Sequence, residues 1–349
     1  MTMNQTYREM KEQYAALKQT EAYFHQQADV IRAKVRAFNP AALVFIGCGS
    51  GFCLCQSAEL SARLSLKIPA YAIPAGDLML RAEYYAPMFA NSLIVAPTRS
   101  GSTSELILAI NAVRKISYVE VIAIACVEDS AIAKIADLTL CLPWAYDCSV
   151  CQTRCVTNLY AASLMLTRLL AGDDSLDTQI NQVIKRGPAF LENIEPRLNE
   201  IAAMDWDNVR ILADGEMSGI ASEGVMAFCE IAQIAGSHYH LLDIRHGPMV
   251  LVNEKTLVIA ALSDDHGEQQ VKVIRELVER GAIVVTYRDQ AGETIPGVAA
   301  EIESGLSLDN PVQGIPFINL SQILALAKAR HLGINPDSPA GIVAWVNLG

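Results

Sequence analysis

The sequence predicts an α/β protein: two three-layer αβα domains with mainly parallel sheets, preceded by an N-terminal helical segment. Hydrophobic residues make up 52% of the 349 positions but aromatic ones only 6%, so the cores are built mainly from aliphatic side chains, as suits helices layered on sheets. Short apolar runs alternate with helix-patterned segments, the order that parallel sheets require. This alternation runs to about residue 172 and starts again near residue 205, after a polar helical stretch. The expected division is residues 1–40 as the helical segment, 41–172 as the first domain, 173–204 as a helical linker, and 205–349 as the second domain with a C-terminal tail. The two domains match weakly in sequence, so the repeat is one of topology.

Residues 7–38 carry Met10, Tyr14, Leu17, Phe24, Ile31 and Val35 in a broadly helical pattern that Asn39-Pro40 ends. Residues 41–46 are of buried-strand type and run into Gly47-Cys48-Gly49-Ser50-Gly51, ahead of a helical pattern through Leu66. Strand, glycine loop and helix make a phosphate cradle possible, because helix-start amides point outward and glycines let an anion approach the backbone. A purely structural tight turn accounts for the loop equally well. The spacing is not the Gly-x-Gly-x-x-Gly of a dinucleotide site, and residues 68–73, the next strand, have no acid at their end to hold a ribose. The absence of Gly-Lys-Ser/Thr disfavours nucleotide hydrolysis.

A third strand, residues 92–98, ends in Thr98-Arg99-Ser100-Gly101-Ser102-Thr103-Ser104-Glu105 before a helical pattern at 106–113. One hydroxyl is expected to cap that helix, whereas five are present in Thr98, Ser100, Ser102, Thr103 and Ser104. The surplus suits phosphate oxygens, with Arg99 as an additional charge. Strands at 118–125 and 137–142 follow, each expected to lead into a helix, the last of them from about Asp147 through Leu170. Loops at strand carboxyl ends would then form the site.

The second series begins with a strand at 209–214. A helix would place Glu223, Ala227 and Glu230 on one face, with no Lys or Arg nearby to neutralise the two carboxylates. Gly236 is the expected helix stop, residues 238–242 the next strand, and Arg245-His246-Gly247-Pro248 the opening of a new segment. Further elements are expected at 256–262, 268–280 and 282–287. A carboxylate base facing an imidazole suits proton transfer, although taken alone the pair reads more simply as a surface acidic face and a turn histidine. His238 and His240 read as strand or pocket-lining residues rather than ligands, and His25, His266 and His331 receive no role. Arg245 has Asp243, Asp214 or a substrate as alternative partners.

Cys148, Cys151 and Cys155 fall at helical spacings, and Cys48, Cys53 and Cys55 flank the glycine loop. No second paired cluster or ligand-spaced histidines accompany them, so the nine cysteines are expected to be reduced packing residues and no metal is expected. A net charge of −11, from 38 acidic and 27 basic residues, argues against nucleic acid as a partner. No apolar run approaches the ~20 residues that span a bilayer, and the polar start lacks a signal-peptide core. The expected location is cytoplasmic, with no membrane partner.

Together, Gly47-Cys48-Gly49-Ser50, the Thr98–Glu105 loop, Ser149-Val150-Cys151-Gln152-Thr153-Arg154, Glu223-Gly224 with Glu230, Arg245-His246-Gly247-Pro248 and Asn335-Pro336-Asp337 resemble the double-SIS (sugar isomerase) family. The resemblance reaches from about residue 40 to 337 and includes the isomerase half of glucosamine-6-phosphate synthase and the fructosamine-6-phosphate deglycases. It implies that Ser50, Ser100, Ser102 and Thr103 hold a sugar phosphate with Thr153 near it. Glu230 would move a proton between C1 and C2, with Glu223 as a second catalytic candidate. His246, sixteen residues beyond Glu230 as in the family pattern, would assist ring opening or protonate a leaving group. A homodimer with active sites shared between subunits is implied, and no cofactor.

Two departures bear on the substrate. No room precedes the first strand for an amidotransferase half, so glutamine-dependent synthesis is not expected. Ala227 stands where that synthase carries a lysine, and the tail from Ser338 lacks another. The expected activity is a phosphosugar-processing enzyme acting on an amino-substituted ketose or aldose 6-phosphate, as deglycase or isomerase/deaminase, by metal-free C1/C2 proton transfer. The alternatives are a non-catalytic sugar-phosphate sensor and a nicotinamide-dependent enzyme.

Overall fold

A computed structural model describes residues 4–173, 175–263 and 267–348. His266 lies outside these described residues. Helix α1, Gln5–Phe38, starts where the Asn4 side chain accepts the Tyr7 amide (2.9 Å) and ends at Asn39 in the left-handed region. Its apolar stripe, Met10, Tyr14, Leu17, Phe24 and Ile31, is buried against the domain that follows.

The first parallel sheet contains β1 (Ala42–Gly47), β2 (Ala70–Pro74), β3 (Ser92–Thr98), β4 (Val119–Ala125) and β5 (Leu138–Cys141), in the order β2-β1-β3-β4-β5. The second contains β6 (Asn208–Leu212), β7 (Ala235–Tyr239), β8 (Thr256–Ala261), β9 (Ile283–Arg288) and β10 (Ala300–Glu303), in the order β10-β9-β8-β6-β7. Read in chain order, the two are the same arrangement, so the topological repeat is real. The central strands β1, β3 and β8 are buried along their whole length, as a parallel sheet covered on both faces requires.

The covering helices are α2 (Ser50–Ser65), α3 (Ala75–Arg81), α4 (Ser104–Arg114), α5 (Arg154–Ala171), α6 (Ser175–Ala202), α7 (Ser218–Ala227), α8 (Gly267–Glu279) and α9 (Asn310–Leu332). Helices α3 and α4 close the outer face of the first sheet, and α8 closes that of the second. Between the sheets, α2 and α5 meet α7 and α9, so one continuous apolar core joins the two halves. Helix α6 packs on α9 and α1 and contributes Leu191, Leu198 and Ile201 to this core.

Several elements differ from the sequence expectation. No helix connects β4 to β5, since residues 126–137 form turns. Strand β7 lies three residues earlier than expected because Gly236 is inside it rather than at a helix stop: a Cβ there would sit 2.6 Å from a methyl of Val209. The left-handed stop falls instead on Gln233, at φ 54°. Strand β10 and helix α9 were not expected at all. Helix α9 is buried almost all round, polar residues such as Asn319 and Gln322 included, which erases the one-sided periodicity that marks a surface helix, and its sequence signs are Pro311 in the first turn and Gly333 past the end.

The halves come into close contact where Gly219 of α7 meets α2, and a Cβ at that position would lie 2.4 Å from the Cys53 carbonyl oxygen. Gly219→Ala is expected to push these backbones apart and cost about 1–3 kcal/mol. Urea unfolding checks this; an unchanged midpoint would contradict the packing described.

Candidate active site

In the first sheet, β1 and β3 are neighbours whose connections leave in opposite directions, so the crevice beyond their carboxyl ends is the topological switch point. The loops that open there are the two singled out from sequence. Gly49 (φ 51°) turns the chain into α2, and Ser50, the first helical residue, is buried. Beyond β3, Gly101 (φ 60°) permits a turn in which the Thr98 hydroxyl oxygen accepts the Gly101 amide (3.1 Å) and the Ser100 hydroxyl oxygen accepts the Ser102 amide (3.2 Å). Those oxygens act as acceptors within the loop, so their hydroxyl protons are left to donate outward. The expected side-chain cap on α4 is absent: Thr103 occupies the cap position without such a bond. Thr98, Arg99, Ser100, Thr103 and Gln152 line a cavity of about 50 Å³ there.

The second half delivers two carboxyl groups to this edge. Helix α7 passes into a π-helical turn, Phe228–Ala232, that carries Glu230. Such turns insert an extra residue and re-aim the side chains that follow. Glu223 is fully buried, is hydrogen-bonded by Ser50, and has one carboxyl oxygen with no partner. Burial first, and then the neighbouring Glu230, pushes its pKa well above the usual carboxylate range, while the Ser50 bond opposes the shift. Burial also raises Glu230, and the Arg99 guanidinium counters this. Sequence reading found no cation near this face; the structure supplies one from the opposite half of the chain. Ser50 thus links the glycine loop directly to the carboxyl pair. Cys53 and Cys151 lie within electrostatic reach of Glu230, and burial pushes both thiols up to about 12, leaving them protonated and unreactive.

Arg99 is buried and has a second task. Its guanidinium donates to the carbonyls of Ser149 (2.8 Å), Val150 (3.0 Å) and Ala344 (2.5 Å). The last contact fastens the C-terminal tail, whose role the sequence left open. Gln233, three residues past Glu230, donates to the Ala340 carbonyl (3.1 Å), and the Ser104 amide donates to that of Val346 (3.3 Å). The tail therefore crosses from the π turn to the hydroxyl loop and places Ala344 and Trp345 on the cavity wall. At its start, Asp337 accepts the amides of Gln5 (2.9 Å) and Thr6 (2.8 Å) and so caps α1 from the other end of the chain.

The remaining sequence candidates sit apart. Thr153 is fully buried with its hydroxyl unpartnered, and its neighbour Gln152 lines the cavity instead. The Ser102 hydroxyl donates back to the Ser100 carbonyl (3.3 Å). Arg245 forms a bidentate pair with Glu276 (2.7 and 2.9 Å), rather than with Asp243 or Asp214. His246 is exposed at the end of a short 3-10 turn, Asp243–Arg245, and none of the described side-chain hydrogen bonds ties it to Glu230 within the chain. All nine cysteines are free thiols, and among the described residues no three His, Cys, Asp or Glu side chains converge as metal ligands. No described helix is long and apolar enough to cross a membrane.

Residues 38–171 match the SIS domain. The chain is 26% identical over 319 residues to the glutamine–fructose-6-phosphate aminotransferase (isomerizing) of Chlamydia trachomatis, covering 88% of this chain and 52% of that protein. It is 24% identical over 268 residues to the Escherichia coli K12 protein of the same name, covering 74% and 44%. The chain thus spans about half the length of the curated relatives it matches. Among solved structures, tagatose-6-phosphate ketose/aldose isomerase from Escherichia coli superposes with a TM-score of 0.86 at 20% identity, over 98% of this chain and 96% of that one. Glucosamine-6-phosphate deaminase from Thermotoga maritima superposes with 0.80 at 23% identity, over 98% and 99%. These likenesses establish that the chain shares the fold of these proteins over 98% of its length.

Because the Glu223 pKa is raised in the folded protein, its contribution is fully present below its unfolded pKa and is lost as pH rises toward the folded one. Glu223→Gln keeps the shape of the protonated carboxyl and removes this penalty. Relative to wild type, the variant is expected to be little changed in urea unfolding at pH 4 and increasingly more stable by pH 8. A difference that does not vary with pH would contradict a protonated Glu223.

Proposed function

We propose that the chain, from a SIS domain over residues 38–171 joined to a second half of the same topology, is a phosphosugar isomerase-type enzyme whose substrate is an amino-substituted hexose 6-phosphate, with deglycation as its reaction. The observation that carries the reading is the arrangement around Ser50: hydroxyl-rich helix-start loops on one side, and Glu223 and Glu230 in a desolvated setting on the other.

In this reading, Ser100 and Thr103 hold the phosphate by hydroxyl and helix-start amide donors, Ser102 braces the loop through its bonds to Ser100, and Thr153 lies behind the Gln152 wall. Ser50 stands between that site and Glu223. Glu230 removes the proton from C1 of a fructosamine 6-phosphate, the electron pair forms the C1–C2 double bond, and the C2 carbonyl oxygen takes up a proton. Return of a proton to C2 moves the unsaturation to C1=N. Water then adds to C1, the C–N bond breaks, and the aldose 6-phosphate and free amine leave. Burial raises the basicity of Glu230, which abstraction beside a carbonyl needs, and proton transfers of this kind contribute roughly 10²- to 10⁴-fold. Ala227 is buried on the carboxylate face where an added cation would alter this balance, and a substrate that brings its own nitrogen has no need of one.

His246 enters from a second subunit. It is exposed, and Leu242 (42%), Val250 (77%) and Leu251 (57%) stand exposed around its turn, an apolar surface suited to a two-fold contact. The imidazole would assist ring opening or protonate the leaving nitrogen.

Fructoselysine 6-phosphate is expected to yield glucose 6-phosphate and lysine in equal amounts. Conversion of a plain amino-sugar phosphate with no release from the lysine adduct would overturn the deglycase reading. Glu230→Gln is expected to lower kcat by roughly 10²- to 10⁴-fold with little change in ligand binding. In mixed dimers, inactive Glu230→Gln and His246→Ala subunits should regain roughly a quarter of wild-type activity, since half the dimers are mixed and each holds one intact site; no recovery would contradict shared sites. The acid limb of kcat against pH should lie above the ordinary carboxylate range, and Arg99→Gln should move it to higher pH, because the cation that holds Glu230 down is gone.

A further inference from the structure

At the carboxyl edge of the second sheet, His238 and His240 project from the same side of the chain as it leaves β7, since residues two apart on a strand share a face. Their ring centroids are 5.9 Å apart with the planes at 67°. Each ring has one nitrogen already engaged. His240 Nδ1 lies 3.2 Å from Asp214 Oδ1, and that carboxylate is itself fixed by the Leu241 amide (3.0 Å). His238 Nε2 lies 2.9 Å from the Ser218 hydroxyl at the start of α7. Gln270 bonds the other Asp214 oxygen at 3.5 Å, so the carboxylate is braced on both sides.

We propose that His238 and His240 form a two-imidazole site for a borderline divalent transition metal such as copper(II) or zinc, with Asp214 as the group that orients His240. Metal–nitrogen bonds of about 2 Å put two imidazoles that share one ion roughly 5–6 Å apart between ring centres, which matches this pair. Metal-bound imidazoles almost always donate their other N–H to a carboxylate or similar acceptor, which fixes the tautomer. The Asp214 contact does this for His240 and leaves Nε2 as its free donor atom; with Nε2 engaged by Ser218, His238 offers Nδ1. Imidazole ligands suit zinc, copper and nickel rather than magnesium or calcium. Two protein ligands leave the other coordination positions to water. Sequence alone assigned these histidines to a strand or a pocket wall, because Ser218 and Asp214 stand 20 and 26 residues away from the rings they engage.

The test is titration of the full-length protein with copper(II) alone, read by calorimetry and by electron paramagnetic resonance. The expected result is one strong equivalent with a two-nitrogen signature. His238→Ala and His240→Ala should each abolish it, and Asp214→Asn should weaken it about 10- to 100-fold. His331→Ala, on the exposed end of α9, should leave it intact, and circular dichroism should report unchanged folding throughout. Binding that survives both histidine substitutions, or no equivalent at all in the wild type, would overturn the proposal.

Discussion

The structure depends on the close approach of α2 and α7, the two helices that follow the first strand of each half. Gly219 lets the α7 backbone come against the Cys53 carbonyl, and this contact brings Ser50 to Glu223. Each half contributes something the other lacks. The first has helix-start amides and hydroxyls that attract an anion, and the second has carboxyl groups that repel one. Set side by side in a desolvated crevice, they suit a substrate carrying a phosphate at one end and an abstractable proton at the other. The same burial that makes Glu223 costly to ionise raises the basicity of Glu230, so packing and proton chemistry share one cause.

Arg99 moderates that cost. It is the cation that lowers the Glu230 pKa, and its donors also hold the 149–150 loop and the tail carbonyl of Ala344. The tail is tied at Asp337, Ala340, Ala344 and Val346 to α1, the π turn, Arg99 and the hydroxyl loop in turn. Crossing the crevice in this way, it couples the C-terminal tail to the loop after β3. A buried polar cluster anchors the same region from behind. Gln13 of α1 bonds Thr157 of α5 and both Asn319 and Gln322 of α9, so α1 is an integral layer of the molecule.

The parts of this arrangement that were legible in the sequence are those whose chemistry is local. The glycine loop at Gly47–Gly51, the hydroxyl run at Thr98–Ser104 and the boundaries of β3 follow from short-range composition and period, and the repeat of topology follows from their order. What stayed hidden depends on contacts across the chain or on small departures from regular geometry. The extra residue of the π turn around Glu230 leaves no mark on a helical pattern. Helix α9 lost its signal because it is buried on every side. Gly236 resembled a helix stop because packing against Val209 and turning a helix both demand the smallest residue. The reach of Arg99 to Glu230, and of Asp337 to Gln5, spans so much sequence that no local rule connects the partners.

The central claim is that Glu230 moves a proton between C1 and C2 of a phosphorylated sugar held by the first-half loops. Its most direct test is solvent exchange: the protein is incubated in deuterium oxide with fructosamine 6-phosphate, and deuterium at C1 and C2 of recovered substrate and product is followed by nuclear magnetic resonance. The account predicts incorporation that depends on Glu230 and vanishes in Glu230→Gln. Product formed without deuterium at C2, or exchange undiminished in that variant, would contradict it.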